Sequence, residues 1–215
     1  MNTTWKVIGI VSLLALATGC FEIDGEHTLF LEPDGSVTWT IEEEVTHTGE
    51  DEAARQAEID GFLRDVAAGR NGASRALRLL APATLDSRVL RADPPLAIRT
   101  EARFAGIDDV YRNVLDVWNL KGRVELTGEG DVRTLRVTVL PGESAEVSDV
   151  EADEAAAAML LAVFLECRIV LTEGRFLEAR GFALDEKGRE ARPIEIEEEE
   201  NQPIELMLSW TRSPE

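Results

Sequence analysis

The sequence predicts an α+β domain, with an antiparallel sheet built from hairpins and two or three packed helices. Three observations support this fold class. Several stretches alternate apolar and polar residues between glycine-, proline- and aspartate-containing turns, as half-buried strands do. A few stretches place apolar residues at helical spacing instead. Most connections between these stretches are short, which favours pairing between strands that are neighbours along the chain.

The clearest local unit is a β-hairpin over residues 26–47. Its turn contains Pro33, Asp34 and Gly35; proline presets one turn angle and glycine accepts a positive φ. After the turn, apolar residues such as Trp39 alternate with hydroxyls and acids. This pattern predicts a strand with one buried face, within an antiparallel sheet.

The later elements follow from the same two periodicities. Helices are predicted over residues 51–68, 74–80, 108–118 and 154–163. Strands are predicted over residues 85–92, 96–105, 123–127, 132–140, 164–171, 175–184, 191–197 and 204–210. Residues 143–153 are expected to form an acidic loop, and the segment 141–153 could divide the domain, residues 20–215, into two sub-units.

The first nineteen residues have the pattern of a secretory signal peptide. Lys6 precedes an uncharged apolar run over residues 7–17, which ends on Thr18 and Gly19 directly before Cys20. The run is shorter than the roughly 18 apolar residues of a membrane-spanning helix, so a removable leader is predicted, cut between Gly19 and Cys20. The alternative is an ordinary signal peptide followed by an incidental cysteine.

The residues Ala17-Thr18-Gly19-Cys20 resemble the lipobox of bacterial lipoproteins. One departure is that the family prefers leucine at the place of Ala17. The resemblance implies that Cys20 is the lipid-attachment residue, carrying acyl chains such as palmitate. Two or three chains, at about 0.8 kcal/mol per buried methylene, would anchor the protein firmly to a membrane surface.

This resemblance also implies a location. The protein is expected to be exported and lipid-anchored to the cell membrane. Phe21 stands where an aspartate would indicate inner-membrane retention, which favours the periplasmic face of the outer membrane if the bacterium has one. Further along, the passage from residue 155 and the residues 174–176 and 208–210 resemble the LppM-like envelope lipoproteins. That second resemblance implies binding at the envelope, with a protein or lipid partner.

Charge excludes one large class of partners. The formal net charge is −20, and removal of a leader that carries only Lys6 makes the mature chain more acidic by one unit. Such a surface repels nucleic acid and anionic headgroups, and favours cationic partners or divalent ions. Nucleic-acid binding is therefore not expected.

Few residues offer reactive chemistry. With Cys20 acylated, Cys167 lacks a disulfide partner and is expected to be a buried core thiol. His27 and His47 are the only histidines; they are expected on the sheet surface, too far apart to share a metal ion. The acidic runs 42–44 and 197–200 could bind calcium or magnesium, or could be solvated strand ends.

Trp39, Trp118 and Trp210 each occupy an apolar stripe, where core packing is the default; the two strand tryptophans could instead line a pocket for an acyl chain or sugar. The sequence contains no serine-hydrolase elbow, phosphate-binding loop or zinc-protease motif. No catalytic, cofactor-binding or metal-binding residue is therefore assigned, and Cys20 is the single predicted site residue.

These observations favour a membrane-anchored envelope lipoprotein that acts as a non-catalytic binding or assembly module. One alternative is a lipid- or glycan-binding protein with an apolar pocket. Another is a hydrolase that uses carboxylates, which would place a carboxylate with a displaced pKa inside a pocket. An assembly protein would instead expose an apolar patch or a free sheet edge.

Overall fold

The computed structural model describes residues 21–49, 51–141, 154–194 and 202–212. Its elements in chain order are β1 (Phe21–Leu31), β2 (Val37–His47), α1 (Glu52–Ala67), α2 (Gly72–Arg78), β3 (Thr84–Arg91), β4 (Leu96–Phe104), α3 (Ile107–Val117), β5 (Gly122–Glu129), β6 (Val132–Val139), α4 (Glu154–Leu160), α5 (Ala162–Leu165), β7 (Arg168–Leu171), β8 (Arg175–Arg180), β9 (Phe182–Leu184), β10 (Glu190–Pro193) and β11 (Ile204–Thr211). The predicted α+β class is confirmed.

The strands form two sheets. The larger sheet has seven strands in the order β3-β4-β2-β1-β7-β10-β9, and the smaller has four in the order β5-β6-β11-β8. The described pairs are antiparallel except that β7 lies parallel to β1. Strands that follow residue 153 pair with strands that precede residue 142 in both sheets, since β7 joins β1 and β11 joins β6.

The first hairpin forms where its turn residues predict it. Leu29 pairs with Trp39 and Leu31 with Val37. Gly35 takes a φ of +94°, which a side chain would oppose. The Asp34 carboxylate accepts hydrogen bonds from the backbone N–H of Ser36 at 2.9 Å and from its hydroxyl at 2.7 Å. These bonds close the turn and fix the register of β1 against β2.

The buried side chains form two groups. The main core draws residues from both sheets and from α2, α3 and α4, including Trp39, Leu77, Tyr111, Ile169 and Trp210. A minor core lies between α1 and one end of the larger sheet; its members are Val45, Ile59, Val66, Leu96 and Ile98, with Phe21, Phe62 and Leu63 packed against them. The face of the larger sheet that carries these residues is called the inner face below.

The strand predicted over residues 164–171 is only half correct. Helix α5 continues to Leu165, and the backbone N–H groups of Glu166 and Cys167 both donate to the carbonyl of Ala162, at 2.9 and 2.7 Å. This tight helix end delays the strand until Arg168. No helix within the described ranges is long and apolar enough to cross a membrane.

Candidate functional site

A buried glutamate is the most unusual polar residue of the inner face. Glu43 lies on β2 at the same alternation as Ile41 and Val45, and only 4% of its surface is exposed. Directly opposite on β1 is Gly25, whose missing side chain leaves space for the Glu43 side chain. Glu43 therefore points into the protein at the level between the main and the minor core.

A network of uncharged polar groups surrounds this carboxyl. The Asn71 side-chain amide donates to Glu43 Oε2 at 3.3 Å and to Thr100 Oγ1 at 3.2 Å. The Ser87 hydroxyl lies 2.9 Å from Thr100 Oγ1 and 2.5 Å from Ser74 Oγ. Strands β2, β3 and β4 and helix α2 each supply part of the network, so its hydrogen bonds hold four elements together.

The beginning of α2 is adapted to this network. Asn71 occupies the N-cap position, where asparagine ordinarily accepts a hydrogen bond from the first helical turn. It makes no such side-chain bond here, because its amide group is turned toward Glu43 and Thr100. The cap residue thus serves the buried carboxyl in preference to its own helix.

Burial sets the charge state of Glu43. Desolvation raises the pKa of Glu43 to about 7 from its ordinary value of 4.5, and the hydrogen bond from Asn71 opposes this increase. The residues that face the carboxyl from β1, β4 and α2 in the described structure are Gly25, Ile98, Thr100 and Asn71, none of which is charged. Near neutral pH this site therefore exchanges a proton.

Neither histidine is exposed on the sheet surface, so the prediction that they lie there is wrong: His27 is half-buried, and only 2% of the His47 side chain is exposed. Burial lowers the pKa of His27 to about 4. The His27 ring meets the Trp39 ring at a centroid distance of 5.9 Å, while His27 Nδ1 and Trp39 Nε1 have no hydrogen-bond partner in the described part of the chain. His27 faces Ile41 across the hairpin, next to the Gly25–Glu43 pair.

His47 is buried at the end of β2, with 2% of its side chain exposed. Its Nε2 lies 2.6 Å from Glu58 Oε2 on α1, and its ring packs edge-on against Phe21 at 5.1 Å. His47 does not lie on the sheet surface as predicted, because helix α1 folds over it. The described residues contain no group of three or more histidine, cysteine, aspartate or glutamate side chains that could hold a metal ion.

The acidic run 42–44 divides between the two faces of the larger sheet. Glu42 and Glu44 are exposed on the outer face and form ion pairs with Arg99 and Arg91. Glu43 alone of the three points inward, and the alternation of β2 would have revealed this, because Glu43 shares the parity of Trp39 and Ile41. The second run, 197–200, lies outside the described residues.

The remaining predicted residues have these positions. Cys20 lies outside the described residues. Cys167 is a fully buried free thiol, as expected. Trp39 and Trp210 are fully buried in the main core, and Trp118 is partly buried against it. Core packing therefore accounts for both strand tryptophans, and neither is exposed to a ligand in solution.

Comparisons with known proteins give limited information. No family model matches the chain, and no curated protein matches it. Among solved structures, the chain is similar to the NMR structure of the folded domain of LppM from Mycobacterium tuberculosis, with a TM-score of 0.37 and 11% sequence identity, over 89% of this chain and 91% of that chain. This is a weak similarity, and no family is assigned from it.

Proposed function

We propose that this protein is an exported lipoprotein, anchored to the cell membrane by acyl chains on Cys20, whose α+β domain is a non-catalytic binding module at the envelope. The observation that carries the proposal is the position of β1. Phe21, the first residue after Cys20, already belongs to the larger sheet and pairs with His47. Its ring also contacts Phe62 on α1 at a centroid distance of 5.1 Å.

This position has a geometric consequence. Consecutive Cα atoms are about 3.8 Å apart, so acyl chains on Cys20 would hold the end of the sheet where β1 begins at the membrane surface, without a flexible spacer. The β3–β4 turn lies at the same end of the sheet, because Val45 pairs with Leu96 two residues before His47. That end would face the lipid, and the opposite end would face the envelope space.

The experiment is intact mass and membrane fractionation of the full chain expressed in a bacterial host. We expect a mass for residues 20–215 plus acyl chains, with the protein in the membrane fraction. Cys20→Ala should be unprocessed or released, whereas the matched variant Cys167→Ala should be anchored like the wild type. A wild-type protein that is cut elsewhere and is freely soluble would contradict the proposal.

A second candidate, a carboxylate-dependent hydrolase, is favoured by one observation, the raised pKa of Glu43. A protonated carboxyl near neutral pH can act as a general acid. However, the described side chains that bond to Glu43 or to its partner Asn71 are amide and hydroxyl groups, without a second carboxylate. A glycosidase requires two carboxyl groups on either side of the scissile bond, which makes a binding module the better-supported function.

Activity measurements separate the two candidates. The full-length protein in detergent is incubated with nitrophenyl esters and nitrophenyl glycosides of several sugars. The binding-module proposal predicts no turnover above that of Glu43→Gln. Turnover by the wild type that is lost in Glu43→Gln, with the fold intact by circular dichroism, would support the hydrolase instead.

A further inference from the structure

Strand β1 has an unpaired stretch within the larger sheet. It is 11 residues long and pairs along its whole length with β2. On its other side, β7 is only four residues long and pairs with residues 28–31. Within the described chain, residues 21–27 thus have no partner on that side, and we call this stretch the β1 notch. Its backbone N–H and C=O groups can accept an additional strand.

The outer face of the notch carries uncompensated negative charge. Glu22, Asp24 and Glu26 are exposed on alternate positions and form no ion pair with the described residues. Two of them stand directly opposite acids of β2, since Asp24 pairs with Glu44 and Glu26 with Glu42. Like charges in such positions destabilise a sheet unless cations lie beside them.

Cations lie beside the acids of β2 on the side away from β1. Arg99 on β4 pairs with Glu42, and Arg91 on β3 pairs with Glu44 at 3.0 Å. Arg99 and Arg91 thereby neutralise the β2 carboxylates. Among the described residues, no strand of basic residues lies on the free side of β1 to neutralise its acids in the same way.

The inner face of the notch is incompletely covered around Ile23 and Gly25. Ile23 is 49% exposed, although its partner Val45 on β2 is fully buried. Gly25 is exposed as well, and a Cβ placed on it would meet only Glu43 Cγ at 3.8 Å and the Glu42 carbonyl oxygen at 3.9 Å. The space above Ile23 and Gly25 can therefore receive side chains from an added strand.

Strand β7 shows the side-chain pattern that suits this edge. Arg168 pairs with Thr28 and lies on the outer face, where its guanidinium donates to the Thr28 hydroxyl at 3.3 Å. Ile169 pairs with Leu29 and is fully buried on the inner face. A segment that continues the line of β7 along the notch would again place alternate side chains on the outer face, beside the acids, and on the inner face, beside Ile23 and Gly25.

We propose that the β1 notch binds an extended segment of a partner protein in which basic and apolar residues alternate. The basic side chains pair with Glu22, Asp24 and Glu26, and the apolar side chains cover Ile23 and the space above Gly25. A second copy of this chain fits poorly, because its own notch carries the same acids. The segment 195–201 of this chain contains five glutamates and fits poorly for the same reason. The inference names the site and partner class of the proposed binding module, and it does not depend on acylation of Cys20.

The test uses the full-length protein in detergent and a fluorescein-labelled synthetic peptide of alternating lysine and valine. Fluorescence anisotropy measures binding, and hydrogen exchange locates it. We expect saturable binding, with slower exchange at the backbone amides of Ile23 and Gly25. These amides point away from β2, because bonding directions alternate along β1 and Glu32 donates to Ser36 across the hairpin. A peptide of the same composition with its lysines and valines in separate blocks should bind about tenfold more weakly, because it cannot present one face of each type.

Charge reversal in the protein provides the matched comparison. The triple variant Glu22→Lys/Asp24→Lys/Glu26→Lys should bind the lysine–valine peptide about tenfold more weakly than wild type does. It should instead bind a peptide of alternating glutamate and valine. The control triple variant Glu129→Lys/Glu178→Lys/Glu186→Lys changes the net charge equally at exposed positions outside the notch. The control variant should still bind the lysine–valine peptide more tightly than the glutamate–valine peptide, as wild type does.

Several results would overturn the proposal. In one such result, the block peptide binds as tightly as the alternating peptide; in another, the control variant loses as much affinity as the notch variant. Either result would show that the peptide is attracted to an acidic surface in general. Slow exchange at the amides of Ile23 and Gly25 without peptide would mean that the protein's own chain or a second copy fills the notch, and sedimentation would distinguish these. If the protein is acylated but does not bind the peptide, only the proposal that the β1 notch binds a partner segment is overturned. If the protein binds the peptide but is not acylated, only the proposal that Cys20 is the membrane anchor is overturned.

Discussion

The Asn71 side-chain amide donates to the buried Glu43 carboxyl at 3.3 Å, across 28 positions of the chain. This bond joins the start of α2 to the middle of β2, and it is the described hydrogen bond that moderates the pKa of Glu43. Among the described residues, the carboxyl thus has a hydrogen-bond donor and no cationic partner, which makes its ionisation costly.

We predict that Glu43→Gln removes a pH-dependent loss of stability. The folded state binds the Glu43 proton more tightly than the unfolded state, because the pKa rises from 4.5 to about 7 on folding. The stabilisation is complete below pH 4.5 and is lost as pH rises through about 7. The free energy of unfolding of Glu43→Gln relative to wild type should increase by about 3 kcal/mol between acidic and alkaline pH.

Urea unfolding at about pH 5 and about pH 8 measures this difference. Asn71→Ala is the companion variant: without its donor, the pKa of Glu43 should rise further, and the pH-dependent loss should move to higher pH. A difference between Glu43→Gln and wild type that does not change with pH would show that the carboxyl is solvated in the folded protein.

His27 should produce the opposite pH dependence. Burial lowers its pKa from 6.5 to about 4, so the folded state holds it neutral and the unfolded state binds its proton more tightly. The contribution of neutral His27 to the free energy of unfolding is fully present above pH 6.5, and it is lost as pH falls through about 4. His27→Phe, which keeps a ring against Trp39, should be more stable than wild type at pH 4 by about 2 to 3 kcal/mol.

The measurement is again urea unfolding, with wild type and His27→Phe compared at about pH 4 and about pH 7. Removal of the unpartnered Nδ1 should leave the variant at least as stable as wild type at neutral pH. If His27→Phe and wild type lose stability equally in acid, His27 is protonated without penalty and lies in a hydrated site.

Local patterns in the sequence predict much of this fold. Turn chemistry at Gly35 and the alternation of β2 predict the first hairpin, and helical spacing places α1 and α3 within one or two residues of their observed bounds. These features depend on neighbours in the chain. The burial of Glu43 also follows from this alternation, although a run of three glutamates by itself favours a solvated strand end.

Long-range contacts could not be predicted in the same way. The parallel pairing of β7 with β1 brings residues 28–31 beside residues 168–171, and nothing local at either segment specifies the partner. The β1 notch follows from this pairing, because α5 shortens β7. The burial of the His47 side chain is likewise a long-range effect, because it comes from contacts with α1 and with Phe21.

Two glycines with positive φ should respond very differently to substitution. Gly174 has a φ of +88°, and a Cβ there would lie 1.9 Å from the Thr211 carbonyl oxygen. Gly130, at the β5–β6 turn, has a φ of +60° with nothing within 4 Å of the same position. Gly174→Ala should therefore cost about 3 kcal/mol or more, and Gly130→Ala about 1 kcal/mol. Thermal unfolding compares the two, and equal losses would contradict the close contact between Gly174 and β11.

The thiol of Cys167 should be inert in the folded protein. Its side chain is fully buried in the main core, and burial raises the pKa of the thiol far above its ordinary value. The reactive thiolate is therefore scarce, and an alkylating reagent cannot reach the sulfur without an opening of the core.

In the Cys20→Ala background, where Cys167 is the remaining cysteine of the chain, iodoacetamide should label the protein rapidly in concentrated urea and very slowly without it. Mass spectrometry follows the labelling. Rapid labelling of the native protein would mean that the end of α5 opens readily, and the pairing of β7 with β1 would then be less stable than its buried side chains imply.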